Sequence, residues 1–206
     1  MFRYEAVEAI APLVTEEDLF VTSMGGLWDD WLNLRPGGPE QDNTFSPPIL
    51  GSHTSTALGL AIALPHRRIV CLDTDGSILM NTGILCTLGN ERPTNLTIVV
   101  FDNEIYESIG SPATHTARNT DLAKMAEGAG CINCSTVKDV ESLRAAAEQA
   151  LTDDEFGFVV AKIDKGVYEW PHEKRRKTDG VEDKYRFIRH VERLENISIH
   201  AGAPQA

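Results

Sequence analysis

Ile69-Val70-Cys71-Leu72-Asp73-Thr74-Asp75-Gly76-Ser77 is the stretch of sequence that decides the fold. Its four apolar residues predict a buried strand, and the acidic residues and glycine after them predict the start of a helix. A glycine at such a junction lets the backbone approach a ligand closely. The unpaired N–H groups of Gly76, Ser77 and the first helical turn predict a phosphate-binding site. Asp75 beside it offers the oxygen ligand that Mg²⁺ prefers.

A second oxygen-rich cluster, Asp102-Asn103-Glu104, follows residues 96–101, which are apolar at nearly every position. Such a run is typical of a strand that is covered on both faces. If the two strands are neighbours, Asp75 and Asn103 meet at one edge of the sheet and can share a Mg²⁺ whose other positions hold water and phosphate. The structural alternative is that Asp75-Gly76 is a plain turn and Asp102 a helix cap. Two such clusters directly after consecutive buried strands favour the metal site.

Strand and helix patterns alternate along the rest of the chain. Predicted strands are 19–21, 68–72, 96–101, 131–134 and 156–163, and predicted helices are 4–13, 52–64, 77–89, 119–129 and 138–151. This alternation predicts an α/β fold: a parallel sheet with helices on both faces and ligands at the carboxyl ends of its strands. Residues 27–48, rich in Trp, Pro, Gly and Asn, are predicted to form a long loop with one helical turn.

The composition changes after residue 164, which divides the chain into a predicted domain, 1–164, and a charged C-terminal extension, 165–206. The aromatic residues among the charges of this extension are Tyr168, Trp170, Tyr185 and Phe187. Two interpretations stay open: an arm on the surface or against a partner, or a solvated helix and linker.

The 206 residues include 19 Lys and Arg against 31 Asp and Glu, a net charge of -12. An acidic surface repels phosphate backbones, so nucleic acid and anionic membranes are poor partners. No apolar run approaches the roughly 20 residues that cross a bilayer, and the first residues do not match a secretion signal. We therefore expect a cytoplasmic protein whose four cysteines are thiols. Cys131 and Cys134 form a lone Cys-x-x-Cys without further zinc ligands nearby, which predicts two core residues.

Asp75-Gly76-Ser77, then Asn103 28 residues after Asp75, then Tyr106, resembles the diphosphate-binding signature of thiamine diphosphate enzymes: Gly-Asp-Gly-Ser followed downstream by Asn-Asn. Residues 50–64 resemble the Gly-Ser-Met-Gly segment and following helix of the decarboxylase branch. Over roughly residues 1–165 the chain resembles phosphonopyruvate decarboxylases and the small, separately encoded β subunits of sulfopyruvate decarboxylases. The resemblance implies the diphosphate-binding, PP-type domain of the thiamine diphosphate-binding fold.

The resemblance also implies site residues. The implied metal ligands are Asp75, Asn103 and, through its carbonyl, Ile105. The implied cofactor contacts are Ser23, Met24, Gly51, Ser52, His53, Gly76, Ser77, Tyr106, Ser108 and Ile109. Among them, the Gly51 carbonyl would accept from the aminopyrimidine N4′, residue 53 would lie beneath the bent cofactor, and Ser108 and Ile109 would lie near the substrate end.

Four residues depart from the family pattern. Thr74 replaces the first Gly of the signature, Asp102 the first Asn, Thr54 a Gly, and His53 a bulky apolar residue. Three roles stay open for His53: a neutral ring that fills the site, an acid/base group or anion contact, or the mark of a degraded cofactor site. His115, in the loop after the metal cluster, is a second catalytic candidate that could touch substrate. An ordinary surface position is its alternative.

The activating glutamate of this family belongs to a pyrimidine-binding domain, which nothing in this sequence matches. The resemblance therefore implies half an active site, completed by an α subunit in an α2β2 or larger assembly. The implied activity is that of a lyase: a thiamine diphosphate- and Mg²⁺-dependent decarboxylase of a small 2-oxo acid, releasing CO₂ and an aldehyde. A carboligase subunit similar to acetolactate synthase is the alternative, because the same carbanion can attack a second carbonyl.

Two further hypotheses stay open. Asp73 and Asp75 also resemble the first motif of haloacid-dehalogenase-type phosphatases, with Asp73 as the nucleophile, and Asp153-Asp154 could imitate the late acidic pair of that family. The chain could instead be a non-catalytic β subunit whose cofactor site is idle, a possibility that His53 and Thr74 motivate.

Overall fold

Strands β3 (Ile69–Thr74) and β4 (Leu96–Asp102) lie side by side at the centre of the sheet in a computed structural model of the chain. The structure describes residues 1–38, 40–152, 155–171, 174 and 179–199. The other strands are β1 (Leu19–Thr22), β2 (Thr44–Phe45), β5 (Cys134–Val137) and β6 (Gly157–Lys162). Within the described residues, all pairs are parallel and the strand order is β2-β1-β3-β4-β6-β5.

Helices cover both faces of this sheet, as the alternation predicts. They are α1 (Arg3–Ile10), α2 (Gly26–Leu34), α3 (His53–Ala63), α4 (Asp75–Met80), α5 (Ile84–Glu91), α6 (Leu122–Gly128), α7 (Val140–Thr152) and α8 (Gly180–Glu195). One core lies under α3, α5, α6 and α8, and a second core lies under α1, α2 and α7. The predicted fold class is therefore confirmed, and every residue of β4 is buried, as its continuous apolar run requires.

The predicted loop at 27–48 is wrong, because α2 and the short strand β2 occupy part of it. The apolar residues of α2 recur with helical spacing and form one buried stripe: Leu27, Trp28, Trp31 and Leu32. Trp31 packs on Phe20 of β1 with ring centroids 4.5 Å apart, and its Nε1 donates to Thr44 Oγ1 at 3.1 Å. The amino-acid composition of this segment predicts a loop, but burial of tryptophan against the sheet stabilises a helix there.

Two other predicted elements are shifted. The helix predicted at 77–89 is split into α4 and α5 around Asn81, whose Nδ2 donates to the Gly51 carbonyl at 2.9 Å. The strand predicted at 131–134 begins only at Cys134, after Asn133 turns the chain with a φ of 51°. All four cysteines are free thiols, as predicted, and Cys131 is buried in the core.

The described parts of the C-terminal extension lie against the body of the protein. Asp179 caps α8 by accepting from the backbone N–H of Val181. Phe187 and Val191, which belong to the apolar stripe of this helix, are buried. Further upstream, Trp170 Nε1 donates to Asp30 Oδ1 at 2.8 Å. The domain boundary at residue 164 stays a prediction.

No helix within the described ranges is long and apolar enough to cross a membrane.

Candidate functional site

A pocket opens where β1, β3 and β4 end, at the edge of the sheet that the sequence predicts for a ligand. Nine of the predicted site residues line it: Ser23, Met24, Asp75, Gly76, Ser77, Asn103, Ile105, Tyr106 and Ser108. β3 and β4 pair with Thr74 opposite Phe101, so the segments that follow them leave the sheet side by side. Asp75 and Asn103 therefore line the same pocket, and their sharing of one metal ion stays a prediction.

Five predicted residues lie outside the lining of this pocket: Gly51, Ser52, His53, Ile109 and His115. Gly51 lies directly behind it, because its N–H donates to Ser77 Oγ at 3.0 Å. Ile109 is 68% exposed, and His115 is exposed in a short 3₁₀ turn. Their roles toward a cofactor or substrate stay predictions.

Asp75 is the first residue of α4, and its side chain is almost completely buried. Its Oδ2 accepts from Thr114 Oγ1 at 2.7 Å and from Thr116 Oγ1 at 3.2 Å. Thr116 Oγ1 shares its single proton between this oxygen and Asp102 Oδ1, which is nearer at 2.8 Å, and the other Asp102 oxygen accepts from Lys162 Nζ at 2.8 Å. One hydroxyl therefore lies between two buried carboxylates, which fixes where the Asp75 oxygens point.

The electrostatics of this pocket favour a cation. Burial raises the pKa of Asp75 to about 6, and the charge of Asp102 adds to the effect, although the threonine hydroxyls act in the opposite direction. In that environment the surrounding protein groups compensate the negative charge of the Asp75 carboxylate only poorly. A bound cation would supply the missing positive charge.

The loop after β4 is folded so that its polar groups face the pocket. Ile105 N–H donates to Asn103 Oδ1 at 3.2 Å, and the intervening Glu104 adopts a left-handed φ of 64°. Such a turn orients the asparagine side chain by bonding it to its own backbone. Tyr106 then lies across α4, because a methyl group on Gly76 would be 2.8 Å from its ring.

His53 is the first residue of α3, and its ring is completely buried. Its Nε2 lies 3.0 Å from the Pro47 carbonyl, which only accepts, so Nε2 carries a proton. Its Nδ1 lies 3.0 Å from Ser77 Oγ and 3.4 Å from an Asp73 oxygen. Burial would raise the pKa of Asp73, but the hydrogen bonds with His53 and Thr54 outweigh it and hold that pKa below its ordinary value. The ring therefore positions Ser77 from behind the pocket.

The donor atoms around the pocket fit a hard cation. Asp75 supplies a buried carboxylate, Asn103 a side-chain amide, and the adjoining loop backbone carbonyls. Among the described residues no three His, Cys, Asp or Glu side chains cluster as metal ligands. That donor set suits Mg²⁺, which takes few protein oxygens and completes its octahedron with water and phosphate.

Sequence analysis missed three residues of this site: Thr114, Thr116 and Arg3. The two threonines flank His115 at the start of the 3₁₀ turn His115–Ala117, and no periodicity in the sequence indicates that they contact Asp75. His115 is exposed, and the threonines on either side of it are buried against Asp75. Arg3 lines the pocket from the other end of the sequence.

The fold and the pocket define a class of protein: a parallel α/β domain that binds its ligand at the strand ends, beside a helix that begins Asp-Gly-Ser. The profile described as "Thiamine pyrophosphate enzyme, C-terminal TPP binding domain" matches residues 44–161. The chain belongs to this family.

Individual relatives agree with that assignment. Sulfopyruvate decarboxylase subunit beta of Methanocaldococcus jannaschii is 31% identical over 160 residues, which are 78% of this chain and 82% of the relative. Phosphonopyruvate decarboxylase of Streptomyces viridochromogenes is 34% identical over 105 residues, 51% of this chain and 26% of the relative.

Solved structures show the same fold. Benzoylformate decarboxylase from Polynucleobacter necessarius matches with a TM-score of 0.67 and 17% identity, over 81% of this chain and 34% of that one. The chain thus spans about a third of the length of that solved structure.

Proposed function

We propose that this chain is the diphosphate-binding subunit of a two-chain 2-oxo acid decarboxylase that depends on thiamine diphosphate and Mg²⁺. The observation that carries the proposal is that Asp75 and Asn103, from the ends of neighbouring strands, line one pocket with Gly76 and Ser77. Relatives named sulfopyruvate and phosphonopyruvate decarboxylase support a small 2-oxo acid as substrate.

In that reaction the residues of this chain would bind and orient the cofactor and its metal ion. Asp75, Asn103 and the Ile105 carbonyl would hold the Mg²⁺, while Gly76 and Ser77 would contact the diphosphate. Bound thiamine diphosphate supplies an electron sink for the carbanion that remains after CO₂ leaves a 2-oxo acid. Ser77 Oγ accepts from the Gly51 N–H and hydrogen-bonds His53 Nδ1, which keeps the pocket wall in place.

A partner chain belongs to this proposal. Relatives are named as β subunits, which supports an α subunit that carries the pyrimidine-binding domain and its activating glutamate. We propose an α2β2 or larger hetero-oligomer in the cytoplasm, with residues 1–164 of this chain as the cofactor-binding domain.

The isolated chain should therefore lack decarboxylase activity until the partner is added. The measurement is CO₂ release from 2-oxo acids that carry a sulfonate or a phosphonate, with thiamine diphosphate and Mg²⁺ present. We expect turnover only with both chains, because the glutamate that activates the cofactor is supplied by the partner. Robust turnover by this chain alone would refute the two-chain proposal. Formation of a carbon–carbon bond without aldehyde release would identify the carboligase alternative.

The phosphatase hypothesis does not fit the site. A nucleophilic Asp73 would have to reach a substrate, but its side chain is fully buried, accepts from Thr54 Oγ1 at 2.7 Å and does not line the pocket. The proposed late acidic pair, Asp153-Asp154, lies outside the described residues. Saturable cofactor binding to the two chains without turnover would instead identify the non-catalytic subunit.

A further inference from the structure

Arg3, at the start of α1, is a charged residue that is only 5% exposed. Its Nε donates to Asp30 Oδ2 at 2.7 Å, and its Nη1 donates to Glu107 Oε2 at 2.8 Å. Asp30 belongs to α2, and Glu107 follows the loop that carries Asn103. The guanidinium therefore bridges two walls of the pocket. Burial acts against its charge, but the hydrogen bonds to both carboxylates hold the pKa of Arg3 above its ordinary value.

The remaining nitrogen of this guanidinium, Nη2, is buried and has no hydrogen-bond partner among the residues that the structure describes. It lies against Gly26, where a methyl group would collide with it, and both residues line the pocket. Ser23 Oγ, in the lining of the same pocket, is also buried, and no described residue hydrogen-bonds it. Buried polar groups are nearly always paired, so two unpaired donors in one pocket point to an acceptor that the protein itself does not supply.

We infer that Arg3 donates through Nη2 to an oxyanion in this pocket, and that this oxyanion is the diphosphate of the cofactor. The inference rests on the proposed function. Three observations support an anion here. Among the described residues of the lining, Arg3 is the one basic side chain. Asp30 and Glu107 hold its other edges, so Nη2 is left for a ligand. The first residues of α2 and its N-cap Gly25 line the same pocket, and the N–H groups of a first helical turn have no partner within their own helix.

The position of Arg3 is itself fixed from outside the pocket. Asp30 accepts from Arg3 with one oxygen and from Trp170 Nε1 with the other, at 2.8 Å. The indole therefore prevents the carboxylate from rotating toward Nη2. Arg3, Asp30 and Trp170, which are distant in the sequence, thus meet beside the inferred anion contact.

The test is isothermal titration calorimetry, in which a mixture of MgCl₂ and inorganic pyrophosphate is injected into the full chain and into its variants. Pyrophosphate isolates the diphosphate interaction from the aminopyrimidine and the partner chain. Arg3→Gln should weaken pyrophosphate binding by about 10- to 100-fold, since a charge-assisted hydrogen bond is lost. Arg3→Lys should be intermediate, because one ammonium can pair with Asp30 but cannot replace the planar fork.

A second variant keeps the test decisive if removal of Arg3 disturbs folding. Gly26→Ala retains Arg3 and both of its carboxylate partners but displaces Nη2, so it should also weaken pyrophosphate binding. Gly59→Ala is the matched control, because this exposed helical glycine has nothing within 4 Å of an added methyl group. Circular dichroism of each variant establishes that it is folded.

The outcomes separate this inference from the function on which it rests. Wild-type affinity in folded Arg3→Gln and Gly26→Ala chains, with measurable binding to the wild type, would overturn the role of Arg3 and leave the proposed function standing. Absence of Mg²⁺-pyrophosphate binding to the wild-type chain, together with absence of thiamine diphosphate binding to the chain and its partner, would overturn both.

Discussion

Asp75→Ala should abolish Mg²⁺-dependent binding of thiamine diphosphate. The carboxylate is the proposed anionic ligand for the metal, and its oxygens are held in place by Thr114 and Thr116. Changes at residues that merely support metal ligands cost about 10- to 100-fold in affinity, so loss of a ligand itself should cost at least about 100-fold. The measurement is calorimetric titration of the cofactor into the chain and its partner, with and without Mg²⁺.

The matched control is Asp139→Ala, which removes an exposed carboxylate that accepts from the Ser142 N–H at the start of α7, outside the pocket. This variant should bind the cofactor with wild-type affinity. Asp75→Asn adds a finer comparison, since it keeps the shape and one oxygen but removes the charge. Unchanged, Mg²⁺-dependent affinity in Asp75→Ala would contradict the whole metal-site proposal.

The centre of this site could be predicted from sequence because its information is local. Residues 69–77 carry the strand, its end and the helix start in nine consecutive residues. Residues 96–103 carry the neighbouring strand and the asparagine that directly follows it. Once both strands are parallel and buried, their carboxyl ends must lie at the same edge of the sheet. Two sequence patterns and one geometric rule therefore place Asp75 beside Asn103.

The supporting contacts could not be predicted because they join distant parts of the chain. Arg3 meets Glu107 across 104 positions, and Trp170 meets Asp30 across 140. No periodicity records such a pair. The sequence interpretation instead singled out His53 and His115 for their chemistry. His53 lies behind the pocket wall and His115 is exposed, while the less reactive hydroxyls of Thr114 and Thr116 contact Asp75.

Gly76→Ala should weaken binding of Mg²⁺-pyrophosphate and of thiamine diphosphate without destabilising the fold. The new methyl group would lie 2.8 Å from two atoms of the Tyr106 ring. The ring is attached to a backbone that is held in place, because Tyr106 N–H donates to the Pro112 carbonyl at 2.8 Å and the Tyr106 carbonyl accepts from the Ser111 N–H. Displacing the ring therefore displaces the loop that carries Asn103 and Ile105. We expect the displaced loop to weaken binding by about 10- to 100-fold, where each factor of ten corresponds to about 1.4 kcal/mol.

If position 76 must be glycine because a ligand approaches there, the segment is a ligand site; if the backbone alone requires glycine, it is a structural turn. Gly76 lies inside α4 without a positive φ, and an alanine in a helix is favoured over glycine by about 1 kcal/mol, so the helix does not require glycine there. Gly128→Ala, in α6 with nothing within 4 Å of the added methyl group, is the matched control and should leave binding unchanged. A Gly76→Ala chain with wild-type affinity would show that the diphosphate does not approach the start of α4. Weaker binding with an unchanged or higher thermal midpoint would show that the glycine makes room for the ligand and the Tyr106 ring.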